Sequence, residues 1–174
     1  MDLFFELLKY TIPALIVFFT AYFLLKQLLD ERQRIDRMAL KQGAQKITLP
    51  LRLQAYERLT LLCDRVSIPN ALLRIRMPGM TVGELRGALL LSISQEFEHN
   101  TSQQLFVSET LWQIISLAKD QTLSLITQAG EDLDSKAGDQ AFVDELLTML
   151  DAQGLPTPLH RAIIAIRTEA GQLF

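Results

Sequence analysis

The chain has 174 residues, a formal net charge of −3 and 49% apolar residues, enough for one membrane anchor plus one helical domain of ordinary size. A single cysteine, Cys63, excludes an internal disulfide framework, and the few scattered Gly and Pro residues exclude a long low-complexity segment. Charge is partitioned along the chain: residues 26–76 hold eleven Lys/Arg against five acids, whereas residues 77–174 hold five against thirteen.

The first predicted element is an anchor over residues 1–29. Tyr10 to Leu25 contains no charged residue, and Leu3 and Leu29 extend the apolar character at either end. About 20 helical residues cross a hydrocarbon core of roughly 30 Å. The uncharged run is somewhat short for this, and Lys9 and Lys26 are placed to snorkel toward headgroups. Tyr10 and Tyr22 suit the interfaces, and Pro13 falls in the first turns, where a missing backbone donor is tolerated best. A cleaved signal peptide needs a basic start and a small-x-small cleavage site, but here the start is MDLFFELLK and Lys26-Gln-Leu-Leu-Asp follows the run. The expected lipid contact therefore covers residues 3–29. Lys26, Arg32, Arg34, Arg37, Lys41 and Lys46 all follow the span, so the positive-inside rule predicts an outward N-terminus and a cytoplasmic domain at the inner membrane.

Residues 30–48 read as a charged helical stalk ending toward Gly43, and residues 49–174 as the helical domain. A helix is predicted from Pro50 to Ser67, with Leu51, Ala55, Leu59, Leu62 and Val66 at spacings of three and four. Cys63 lies on that apolar face and reads as a small buried hydrophobe. Ile68-Pro-Asn should break this helix, and Ala71–Met77 fits either a short helix or an extended connection.

The next helix opens at Thr81, where Glu84 three residues later completes a capping box, and continues through Val82, Leu85, Leu89, Ile93 and Phe97. It should weaken near Asn100-Thr-Ser. Ser108 suits an N-cap for a helix carrying Leu111, Ile115, Ala118, Leu125, Ile126 and Ala129, followed by an acidic loop from Glu131 to Gly138. Gln140 to Ala152 forms a further amphipathic helix that Gly154 ends. Thr157-Pro158 opens the last one, with Leu159, Ala162, Ile163, Ile166 and Ala170. No segment alternates as a strand. The expected architecture is all-α: a transmembrane helix followed by an antiparallel bundle of about five helices.

Glu96 and His99 stand at i and i+3, the spacing used by carboxylate-bridged di-iron bundles, with Glu98 beside them. The only other histidine, His160, has Thr157 three positions before it, so the second half of such a motif is missing and no cofactor is expected. No Gly-x-Ser-x-Gly elbow occurs, and Pro78-Gly-Met-Thr-Val-Gly83 lacks the Lys-Ser/Thr of a phosphate loop. Nucleic-acid binding is not expected, because the basic half offers only Tyr56 as an aromatic platform and the distal half is acidic.

The segments Leu51-Arg-Leu-Gln-Ala-Tyr-Glu-Arg-Leu59, Glu96-Phe-Glu-His-Asn-Thr-Ser-Gln-Gln104 and Val107-Ser108 resemble a family of uncharacterised Bacteroidota proteins. That resemblance implies a single N-terminal membrane helix, a cytoplasmic helical domain, an inner-membrane location and no assigned activity. It covers roughly residues 1–130 and leaves out the Gly138–Phe174 tail. The leading functional expectation is a membrane-anchored interaction or scaffold protein. Its expected docking surface comprises Tyr56, Glu57, Arg58, Glu96, His99, Asn100 and Gln103, for an unidentified protein partner or a second copy of the chain. The alternative is a small membrane-associated enzyme or metal binder centred on Glu96, Glu98 and His99.

Overall fold

Apolar residues at three- and four-residue spacings dictate helices throughout, and the computed structural model is all-helical. It describes the backbone of residues 2–173, and the side chains of all of these except residues 2–10, 12–14, 36, 37, 39–42 and 44. The expected roles of Lys9, Tyr10, Pro13, Arg37 and Lys41 fall on side chains outside the described residues. The α-helices are α1 (Asp2–Arg65), α2 (Ile68–Ile75), α3 (Val82–Asn100), α4 (Glu109–Ala129), α5 (Gln140–Ala152) and α6 (Pro158–Gly171). A 3₁₀ helix (Thr101–Phe106) connects α3 to the segment before α4. Among the described residues there is no strand, only one antiparallel bridge between Thr81 and Gly138.

Two expected boundaries are corrected. The helix end at Gly43 and the fresh start at Pro50 are absent, because α1 runs through both positions. Proline's fixed φ is itself helical, and the carbonyl that its missing N–H leaves open belongs to the turn of Lys46, a solvent-exposed residue. Ile68-Pro-Asn does more than break a helix. Ser67 adopts an extended N-cap conformation, and Pro69 sits in the first turn of α2, where no donor is required.

The chain divides into two compact units, residues 1–48 and residues 49–174. In the first, Leu15 to Phe19 and Tyr22 to Leu25 are all more than half exposed, apart from Tyr22 at 50%. Among the described residues, no helix is long and apolar enough to cross a membrane.

In the second unit α4 lies centrally and packs against α3, α5 and α6. One core joins Leu59 and Leu62 of α1, and Val66 just after it, to Leu85, Leu89 and Ile93 of α3, Ile115 and Ile126 of α4, Phe142 and Leu146 of α5, and Ile166 of α6. Cys63 belongs to it at 1% exposure, and burial pushes its thiol up to about 12, which keeps it protonated and unreactive.

The helix starts follow local chemistry. The Thr81 hydroxyl accepts from the Glu84 amide while the Glu84 carboxylate accepts from the Thr81 amide at 2.9 Å. Ser108 caps α4 and Thr157 caps α6. The acidic loop is strapped across the start of α3 by Val82 N–H to Ala137 O and Gly83 N–H to Ser135 O, both 2.9 Å. These bonds satisfy two of the amides that a helix start leaves without partners.

Candidate functional site

The last turns of α3 carry the residues the sequence singles out, and the structure separates their roles. Glu96 is largely covered and pairs with Arg65 of α1 at 3.4 Å. Glu98 and His99 are exposed. Asn100 is buried, with its side-chain amide donating to the Glu96 carbonyl at 2.8 Å, so it finishes the helix and does not face a partner. Gln103, on the 3₁₀ helix, donates to Ser102 Oγ at 3.3 Å. Among the described residues, no three His, Cys, Asp or Glu side chains are grouped to hold a metal ion.

Glu57 and Arg58 are exposed on α1, but Tyr56 is not: at 4% exposure it points into the core, which removes it from the expected docking surface. Its phenol leads instead to a polar cluster that joins α1, the start of α4 and α6. Arg52 Nη2 donates to the Tyr56 hydroxyl at 2.8 Å, and that hydroxyl donates to Glu169 Oε1 at 3.0 Å. The Ser108 amide donates to the same oxygen at 2.9 Å, and the Ser108 hydroxyl donates to Glu169 Oε2. Arg52 also donates through Nε to the Phe106 carbonyl at 3.1 Å and lies 3.7 Å from Glu169 Oε1. Its guanidinium carbon stands 5.8 Å from the centre of the Tyr56 ring.

The electrostatics follow from this geometry. Burial pushes the Glu169 carboxyl up, but the Ser108 and Tyr56 hydrogen bonds and the Arg52 charge outweigh it and hold the group below its ordinary value. Burial, and then the Glu169 carboxylate, push the Tyr56 phenol up, so it stays protonated and remains a donor. A cleft of about 540 Å³ opens beside the cluster, lined by Arg52, Ser108, Thr110, Thr168, Glu169 and Gln172 among others. The Ser108 oxygen also accepts from the Leu111 amide at 3.1 Å as the cap of α4. What the cluster does is clasp three elements together.

Sequence reasoning found Ser108 only as a cap and missed Arg52 and Glu169. One signal was available. Glu169 is the only acid from Pro158 onward, and it continues the buried stripe Leu159, Ala162, Ile166 at helical spacing. A carboxylate on a core-facing stripe requires a partner.

A further ion pair sits just after the acidic loop. Arg76 grips Asp139 with two bonds, 2.5 and 3.2 Å, and also donates to Gln140 at 2.9 Å. Hydrogen bonding from Arg76 is the main reason the Asp139 carboxyl sits below its ordinary value. Arg86 reaches the Gly130 carbonyl at 3.0 Å, so both ends of the loop are fastened by arginines.

Compared with known proteins, the sequence matches the profile of a family described as a family of unknown function (DUF7935) over residues 2–173. The match includes the tail from Gly138 to Leu173, which the resemblance carried by residues 51–108 left out. No curated protein and no solved structure matches the chain.

Proposed function

The chain belongs to this family of unknown function, and from its own residues we propose that it is a membrane-anchored helical interaction module. The observation that carries the reading is the apolar surface of α1 from Leu15 to Leu29. Leu15, Ile16, Val17, Phe18 and Phe19 are five consecutive residues, each 52–68% exposed. At about 100° per residue they encircle the helix. A partner lying on one side leaves part of such a surface in water, whereas lipid covers all of it. The uncharged Leu15–Leu25 stretch is eleven residues, or about 16 Å of helix, so the anchor also requires the uncharged residues from Tyr10 and the snorkelling of Lys9 and Lys26.

The basic residues after the span favour an outward N-terminus and a cytoplasmic 49–174 unit at the inner membrane. The interaction role rests on that unit. It is compact, its polar cluster serves as a clasp, and its accessible face offers charged and amide side chains. A reporter active only in the cytoplasm, fused at Phe174, tests the orientation. The expected outcome is activity in a well-expressed fusion, lost when residues 26–46 are stripped of Lys and Arg. A silent fusion at full expression overturns the orientation.

A further inference from the structure

A second concavity of the 49–174 unit is separate from the polar clasp. A groove of about 680 Å³ lies between the start of α2, the outer face of α4 and the turn joining α5 to α6. A smaller hollow of about 330 Å³ adjoins it and shares Gln121, Leu125, Gln153 and Pro158 as lining residues. The floor is aliphatic, with Leu125, Leu150 and Leu159, and on the lip Leu155 stands 88% exposed. The carboxamides of Gln121 and Gln153 are solvent-exposed and make no side-chain hydrogen bond among the described residues. Gln128 lies on the same side of α4, seven residues after Gln121, about 10 Å along the helix.

A side-chain amide carries one acceptor and two donors, which matches the alternating C=O and N–H of an extended backbone. A 10 Å spacing equals about three residues of such a strand at ~3.3 Å each. Charge sets the preference. Among the described residues, Asp151 is the only ionisable side chain lining the larger hollow and Arg161 the only one lining the smaller, and residues 77–174 as a whole are strongly acidic. We propose that this groove binds an extended peptide segment of a partner protein, seating a bulky aliphatic side chain against Leu125, Leu155 and Leu159 and a neighbouring Lys or Arg beside Asp151. The inference names the partner class for the interaction reading above and rests on it. It does not depend on the membrane anchor, so failure of peptide binding and failure of membrane attachment are separate results.

The test is selection from a displayed library of random peptides of about twelve residues, long enough at ~3.3 Å per residue to overspan the groove, on the full-length chain in nanodiscs. The expected result is enrichment of Leu, Ile or Met within two positions of Lys or Arg. Leu155→Asp, and separately the pair Gln121→Ala and Gln153→Ala, should weaken the selected peptides by about tenfold. Asp151→Lys should transfer preference to acidic peptides. All four side chains are exposed, so circular dichroism and the thermal midpoint should stay unchanged. Three results overturn the proposal: no enrichment, enriched peptides that bind Leu155→Asp equally well, or a concentration-dependent dimer that Leu155→Asp abolishes, which would make a second copy the occupant.

Discussion

Glu169 accepts hydrogen bonds from Tyr56 of α1 and from Ser108 before α4, and it is itself on α6. Replacing it with Gln keeps the shape but removes the charge that strengthens those bonds. Urea titration should show a loss of about 1–3 kcal/mol at unchanged slope. The pH dependence has a definite sign. The folded carboxyl sits below its ordinary value of 4.5, so its stabilisation is complete above that value and is lost as pH falls through the depressed folded value. Glu169→Gln should therefore flatten the acid limb of a stability–pH curve measured below about pH 4.5. Phe142, fully buried, should cost about 3–5 kcal/mol on truncation to Ala in the same titration.

Tyr56 shows why single residues were only partly legible. Its neighbours Glu57 and Arg58 suggest a polar face, yet adjacent residues on a helix point about 100° apart. Tyr56 shares its side with Leu59 and Cys63, three and seven positions on, and both are buried. Glu169 stayed hidden for another reason: its partners lie 61 and 113 residues away, and no local pattern encodes such a pair.

At the scale of elements, boundaries that depend on local chemistry were legible, including the ends of α3 near Asn100 and of α5 at Ala152, and boundaries that depend on their surroundings were not. Thr81 with Glu84, Ser108, and Thr157 with Pro158 each announce a helix within four residues, and all three helices begin there. Thr81→Ala should cost about 1 kcal/mol. It should also raise hydrogen exchange at the amides of Val82 and Gly83, because the acidic loop pairs with that same turn. Pro50 misled because proline marks helix starts more often than interiors, and its ring alone does not reveal that α1 already exists on its N-terminal side. The α2 helix was undecidable from eight residues, since its buried Ile68, Ala71 and Leu72 acquire their meaning only from packing on the rest of the unit.

At the scale of the whole molecule, two compact units of contrasting surface chemistry share one chain. The all-helical class was readable from periodicity, because no stretch of the sequence offers a competing two-residue alternation. The groove beside α4 was not readable, since Gln121, Asp151 and Leu155 belong to three separate elements and look like ordinary surface residues in the linear sequence.

The proposed role depends on the encircling apolar surface of Leu15–Leu29 being covered by lipid. The direct measurement is fractionation of cells expressing the full-length chain, with membranes washed in alkaline carbonate and in high salt. The account predicts that the chain stays with the membrane pellet through both washes, and that a version beginning after Leu29 does not. Release of the intact full-length chain into the supernatant would contradict it.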